Sequence, residues 1–381
     1  MDSFLNLQLL EQEVPLSSKL AAIHQAVRAR YPDIARIAVA SYDEATDLVK
    51  TFIYSNDSGE PLNQYERRLA EVPSLQQVLR SGQPRILTHL APPAEAAGSR
   101  HHHYLARQGY RASYTVPLMD GQRCFGFVFF DSREPDPFTP ALLDDLATFS
   151  HLVMLMVLDA QRKLRTLRGA MHTAHDVMHL RDFETGNHLE RMARYARLIA
   201  QDCARLQGLS DEFVEHVFLF APLHDIGKIA VPDSVLLKPG PLSDDERQIM
   251  RRHVEQGIQL SRQMIGYLGL DQMPFIDLLY DIIGAHHEAW DGSGYPAGLA
   301  GEAIPLAGRI VTVADVFDAL SSRRPYKEGW SVERTLDWMT QQSGVLFDPQ
   351  CVAALVRRQA ELPAIQQCFV DQAVRADSPL A

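Results

Sequence analysis

The chain has 381 residues, 46% hydrophobic and 22% charged, enough for two or three domains that each bury a core. A formal net charge of −11 argues against a general nucleic-acid-polymer binder, so a phosphate-bearing ligand needs a local basic or cation-lined pocket. Cys124, Cys203, Cys351 and Cys368 are scattered without CxxC spacing, residues 1–15 lack a basic leader, and the apolar run 152–158 is far shorter than the roughly 20 residues of a membrane span. Free thiols, a cytoplasmic location and no membrane partner are therefore expected.

Leu20, Ile23 and Val27 recur at helical spacing and predict a helix over 17–31. Strands are expected over 34–42 and 48–55, joined by the acidic turn Asp43-Glu44. A short helix over 73–80 ends at Ser81-Gly82, and segments 114–119 and 123–130 flank the hairpin signal Asp120-Gly121-Gln122. Phe125, Phe127 and Phe129 are expected on one face of the second hairpin strand. Between these elements lies Arg100-His101-His102-His103-Tyr104. It reads as a metal or haem ligand cluster or as a polar loop, and the loop is favoured because a contiguous triplet cannot readily chelate one ion.

Thr139-Pro140 is an N-cap followed by a first-turn proline, and it opens a helix expected to reach about residue 180. Its apolar seam is Leu142, Leu146, Phe149, Val153, Met156, Ala160, Leu164, Leu167, Met171, Ala174 and Met178, heptads with one stutter at Ala160. The seam predicts a parallel coiled coil joining two protomers. The alternative is a domain-closing helix running into the first helix of the next domain. His172, His175 and His179 read as its polar face.

From about residue 181 to 360 the chain reads as all-helical, with acids and imidazoles at suggestive spacings. Glu184 and His188 stand four apart on one helix face. His224-Asp225 follows the nearly continuous apolar stretch 214–221, where an unpartnered imidazole and carboxylate would be costly and a divalent cation would remove the cost. Lys228, one turn on, reads either as a phosphate contact or as a buried salt-bridge partner of Asp225, and Gly227 allows close chain approach. His253 falls on a charged helix opened by the capping box at Ser243. Asp315 sits in the apolar helix 306–320, with Asp318 one turn on as a supporting group. Arg324 and Lys327 follow, as an anion clamp or as helix-end charge compensation. The stretch 286–296, His-His-Glu-Ala-Trp-Asp-Gly-Ser-Gly-Tyr-Pro, places two adjacent imidazoles at the end of a helix expected over 275–287. Adjacent side chains point about 100° apart on a helix, so both can reach one ion only near a helix end or beside a partner element.

Together these residues offer five His, two Asp and one Glu with no Cys ligand, which suits iron, manganese, cobalt or zinc. Eight ligands exceed the need of one ion. Two metals bridged by a carboxylate are expected, with Glu184 and His188 able to hold a third, and such a pair serves phosphoester hydrolysis.

Two resemblances follow from these residues. Residues from about 15 to 160, a helix, strands, a long variable middle and an exiting helix after a hairpin, resemble a GAF sensor domain in architecture, which implies an unknown small ligand. His224-Asp225 with His253 and Asp315 resembles the HD phosphohydrolase superfamily, and the motif at 286–296 is similar to the signature of its HD-GYP branch. That resemblance covers roughly residues 165–360. It implies a metal-dependent phosphodiesterase degrading cyclic di-GMP to pGpG or GMP. By the family pattern the metal ligands fall on Glu184, His188, His224, Asp225, His253, His286, His287 and Asp315, with Asp225 bridging and catalytic. Lys228 would be catalytic and, with Arg324 and Lys327, would contact substrate phosphates. The resemblance further implies two or three divalent ions, iron with manganese as alternative, and contact between the Gly-Tyr-Pro segment and GGDEF-domain proteins. Lys238-Pro239-Gly240 resembles the family's loop near the cleft. The expected fold is multidomain α+β: a GAF-like antiparallel sheet with helices over 1–160, a connecting helix over 139–182 and an all-α HD-type domain over 165–381. The rival readings are hydrolysis of 3′,3′-cGAMP or a nucleotide monoester, and a catalytically weak cyclic di-GMP receptor acting through protein contacts.

Overall fold

A computed structural model describes residues 7–369, apart from residue 45 and residues 58–64, 91–103, 106, 180–185 and 323–328. The His101–His103 triplet lies outside the described residues. The chain divides into two compact units between Lys163 and Leu164, and each is described by itself.

The N-terminal unit is built on a six-stranded antiparallel sheet in the order β3-β2-β1-β6-β5-β4. The strands are β1 (Ile34–Asp43), β2 (Leu48–Asn56), β3 (Glu66–Arg68), β4 (Arg85–Leu87), β5 (Ala112–Asp120) and β6 (Arg123–Ser132). The helix Leu16–Arg30 and the start of the helix Pro140–His179 cover one face, where Leu20, Ile23, Val27, Val128, Phe130, Leu142 and Leu146 pack together. The helix Pro73–Ser81 serves the other, where Leu75 and Val78 meet Ala38, Ala40, Phe127 and Phe129. With both faces covered, β6 is buried along nearly its whole length.

The three phenylalanines of β6 do not share a face. Phe127 and Phe129 pack with Cys124 in the second cluster, whereas Phe125 packs with Val128 and Phe130 in the first. The cause is a register shift: Leu118 pairs with Gly126 and Met119 with Cys124, which leaves Phe125 as the extra residue of a bulge. Strict alternation, the basis of the expectation, fails at that residue.

His24 is a buried imidazole satisfied as the neutral form: Nε2 lies 2.9 Å from the Ile34 carbonyl, and Nδ1 lies 2.8 Å from the Ser55 hydroxyl, which donates to it. Burial holds its pKa below the ordinary 6.5. The unfolded chain therefore takes up a proton near pH 6.5 that the folded domain resists, so stability is full above that pH and falls as the pH drops below it. Urea denaturation followed by circular dichroism at pH 7.5 and pH 5.5 is expected to show this loss. It is expected to shrink in His24→Gln.

Among the described helices, Pro140–His179 alone holds an 18-residue window apolar enough to cross a membrane, with a mean hydropathy of 1.6, within Pro140–Leu167. Counting only the run 152–158 underestimated it. Within the N-terminal unit, Leu142, Leu146, Val153, Val157 and Leu158 of this helix are spent on the domain's own core. The seam drawn for a second protomer is thus used inside the chain at Leu142, Leu146 and Val153. The side chains of Met171, Ala174, Met178, His172, His175 and His179 lie outside the described residues.

The C-terminal unit is helical, with one core shared by the helices Gly186–Gln207, Asp211–Phe220, Ile276–Ala285, Leu306–Ser321, Val332–Gln341 and Pro349–Arg357. The Ser243 capping box forms, but its helix stops at Arg251. His253 begins a separate helix, His253–Leu268, rather than lying within the first. The thiols of Cys203 and Cys351 are buried 4.0 Å apart in this core.

Candidate metal centre

Five segments meet at the expected place. His188 comes from the first turn of the helix Gly186–Gln207, His224 and Asp225 from the turn between Ala221–Leu223 and Ile226–Ala230, and His253 from the start of its helix. His286 and His287 follow directly on the helix Ile276–Ala285, and Asp315 sits mid-helix in Leu306–Ser321. The helix end resolves the problem of adjacent imidazoles: past Ala285 both rings turn toward the same group.

Two ligand sets form, Asp225 with His253, His286 and His287, and His188 with His224 and Asp315. Within each, the candidate ligand atoms lie within 4.8 Å of one another. The Asp225 carboxylate stands between them. Its Oδ1 is 3.2 Å from His253 Nε2 and 3.5 Å from His286 Nε2, and its Oδ2 is 3.2 Å from His224 Nε2 and 2.8 Å from Lys228 Nζ. His188 Nε2 lies 3.6 Å from Asp315 Oδ1. Lys228 is thus an ion-pair partner of Asp225. Burial pushes the Asp225 carboxyl up, but Lys228 and His224 outweigh it and hold it well below the usual range.

The imidazoles are oriented by a repeated device. His224, His253 and His286 each fold Nδ1 back onto the carbonyl three residues earlier, of Ala221, Met250 and Ile283, at 2.9, 2.8 and 2.9 Å. With Nδ1 donating to the backbone, the Nε2 atoms face inward. His253 Nε2 and His286 Nε2 stand 3.4 Å apart. Burial lowers the pKa of His286, and burial with the neighbouring His286 takes that of His287 to about 2, so both rings are neutral. Burial opposes the charged form of His224 too, but the Asp225 and Asp315 carboxylates raise it to about 9. His224 Nε2 and Asp225 Oδ1 are buried and lack hydrogen-bond geometry to any described group. Converging lone pairs around a buried carboxylate repel one another unless a cation lies among them. The donor set therefore fits divalent metal ions.

Supporting residues surround the ligands, among them Asp318, which the sequence already marks. Asp318 accepts from His188 Nδ1 at 2.7 Å and from Arg191 Nε and Nη2 at 2.7 and 2.9 Å. Arg191 lies three residues after His188, a helical spacing that could have drawn notice. Tyr295 stacks on His287, with ring centroids 4.6 Å apart, and Arg251 lies over Tyr295. Glu288 accepts from the Ala297 and Leu299 amides, which ties down the loop after the histidines. Lys238 pairs with Glu246 at 2.6 Å. Glu184, Arg324 and Lys327 lie outside the described residues.

Gly227 is where the turn meets the His253 helix. A Cβ there would stand 1.8 Å from the His253 carbonyl oxygen and 2.5 Å from Gly257 N, both backbone atoms that cannot swing aside. Gly227→Ala is therefore expected to cost about 2–3 kcal/mol or more and to displace His253. Thermal denaturation and bound-metal analysis of the variant check this.

The GAF domain family model matches residues 18–157, and the HD domain family model matches residues 183–351. The chain carries a GAF domain followed by an HD domain. Over part of its length the chain is similar to curated proteins. The match is 52% identical over 185 residues to the cyclic di-GMP phosphodiesterase response regulator RpfG of Xanthomonas campestris, covering 49% of this chain and 46% of that one. It is 42% identical over 192 residues to a cyclic di-GMP phosphodiesterase of Thermotoga maritima, covering 50% and 49%. It is 37% identical over 206 residues to the 3′3′-cGAMP-specific phosphodiesterase 2 of Vibrio cholerae, covering 54% and 37%. The chain spans about half or less of the length of these relatives.

Proposed function

We propose that this chain is a metal-dependent phosphodiesterase of the HD-GYP type that hydrolyses cyclic di-GMP to the linear dinucleotide or to GMP. The observation that carries the reading is the Asp225 carboxylate, whose two oxygens face two different imidazole sets. A carboxylate so placed suits a bridge between two divalent ions, iron or manganese. His253, His286 and His287 would hold one ion, and His188, His224 and Asp315 the other. When bound, such ions supply an activated water and neutralise charge on a phosphodiester. The protein's own part is to turn the imidazole Nε2 atoms inward, to keep His286 and His287 neutral and Asp225 ionised beside Lys228, and to offer the Lys228 ammonium as a positive charge for a phosphate. Glu184 is assigned to a third ion and Arg324 with Lys327 to the substrate phosphates by their motif positions. Contact of the Gly-Tyr-Pro loop with GGDEF proteins and dimerisation through the later part of the connecting helix belong to the same reading.

A second substrate is favoured by a specific observation: three of the Vibrio cholerae relatives are named 3′3′-cGAMP-specific phosphodiesterases. The deciding experiment is anaerobic purification with metal analysis, then product identification on cyclic di-GMP and 3′,3′-cGAMP in parallel. Faster turnover of cyclic di-GMP by metal-loaded protein supports the first reading, and preference for cGAMP the second. Binding without product from either by fully loaded protein overturns both in favour of a receptor.

A further inference from the structure

The N-terminal unit holds a cavity that the metal centre leaves unexplained. It opens on the sheet face served by the helix Pro73–Ser81, whose Leu75 is part of its wall. Val49, Leu75 and Phe129 are among its apolar walls, yet Arg36, Arg67 and Arg85 line it too. Guanidinium groups beside an apolar wall are costly unless anions meet them.

Part of that charge is met within the protein. Arg36 pairs with the buried Asp131, which also accepts from the Ser113 hydroxyl, and Arg67 bonds Glu71 at the surface. Arg85 is different. Among the described residues it bonds a hydroxyl, Thr115 Oγ1 at 3.4 Å, and no described carboxylate stands within 4.0 Å of it. Burial, the larger effect, lowers its pKa against the weaker pull of Asp131. The Nε–H groups of Arg36 and Arg85 are both buried without an acceptor among the described residues. Two guanidinium donors at one cavity thus lack the oxygens that would satisfy them, and the planar fork of arginine matches a carboxylate or phosphate.

We propose that this cavity binds a small organic anion, whose carboxylate or phosphate is received by Arg85 and Arg36 while its apolar body lies against Val49, Leu75 and Phe129. The ligand completes a charge balance that the protein leaves open, so binding stabilises the domain by mass action. The test uses the full chain, with benzoate and phenyl phosphate as probes and benzamide as the neutral isostere, read by calorimetric titration and thermal unfolding. At least one anion is expected to bind and raise the unfolding temperature, and which one separates a carboxylate from a phosphate site. Benzamide is expected to do neither. Arg85→Met is expected to weaken anion binding about tenfold or more, the loss of a charge-assisted bond. It is also expected to raise the unfolding temperature of the ligand-free chain, whereas an arginine held for structure would lower it. Asp225→Asn is expected to leave the binding intact, separating this cavity from the metal centre. Benzamide binding as well as benzoate, no binding by either anion, or undiminished anion binding by Arg85→Met overturns the proposal.

Discussion

Asp225→Asn is expected to lower phosphodiester hydrolysis about 10³-fold, roughly 4 kcal/mol of transition-state stabilisation, and to reduce bound metal in the same preparation. The change keeps the shape and removes the charge. Oδ1 faces His253 and His286 and Oδ2 faces His224 and Lys228, so one substitution alters both ligand sets at once. It also leaves Lys228 without its carboxylate. Rates and metal content measured together check the point. A folded variant with little metal and full turnover would sink the proposed mechanism.

Asp318→Ala is expected to destabilise the C-terminal unit by about 3–5 kcal/mol, on the order of 10 °C in melting temperature. Asp318 is buried and accepts three bonds, two from Arg191 and one from His188. Its removal leaves the buried Arg191 guanidinium without its carboxylate and frees the His188 ring to turn. Asp318→Asn keeps an acceptor and should cost less. If the residue orients His188 as well as balancing Arg191, metal affinity falls in Asp318→Asn even where the fold survives. The general expectation for such a supporting group is a loss of about 10–100-fold. Calorimetric unfolding and competitive metal titration separate the two effects.

The candidate site was unusually legible in the sequence because its ligands are chemically conspicuous. Imidazoles and carboxylates in apolar segments such as 214–221 and 306–320 have no cheap alternative to a shared cation, so His224, Asp225 and Asp315 stand out by cost alone. His253 was harder, since a lone histidine on a charged helix is ordinary, and the break at Arg252 that brings it to a helix start leaves no mark such as Gly or Pro. Asp318 stood out one turn after Asp315, but its pairing with Arg191 was obscured for a different reason. Their pairing joins residues 127 apart in sequence, and only the packing of two helices reveals it. In the sheet domain, segment positions were readable from alternation and turn residues, but the bulge at Phe125 was not, because one inserted residue changes the facing of its neighbours without changing the composition. The seam of the long helix carried a pattern that fits self-association and core packing equally well, and the sequence cannot say which surface receives it.

The three backbone-anchored histidines differ from His188 in how they can be tuned. Ala221, Met250 and Ile283 offer main-chain oxygens that every amino acid carries, so the tautomers of His224, His253 and His286 are immune to point substitution at those acceptors. His188 instead leans on the side chain of Asp318, which one codon change can remove. Laboratory selection or natural drift that adjusts this centre's preference among ions therefore has its most accessible handle on the His188 side, while the other half resists adjustment.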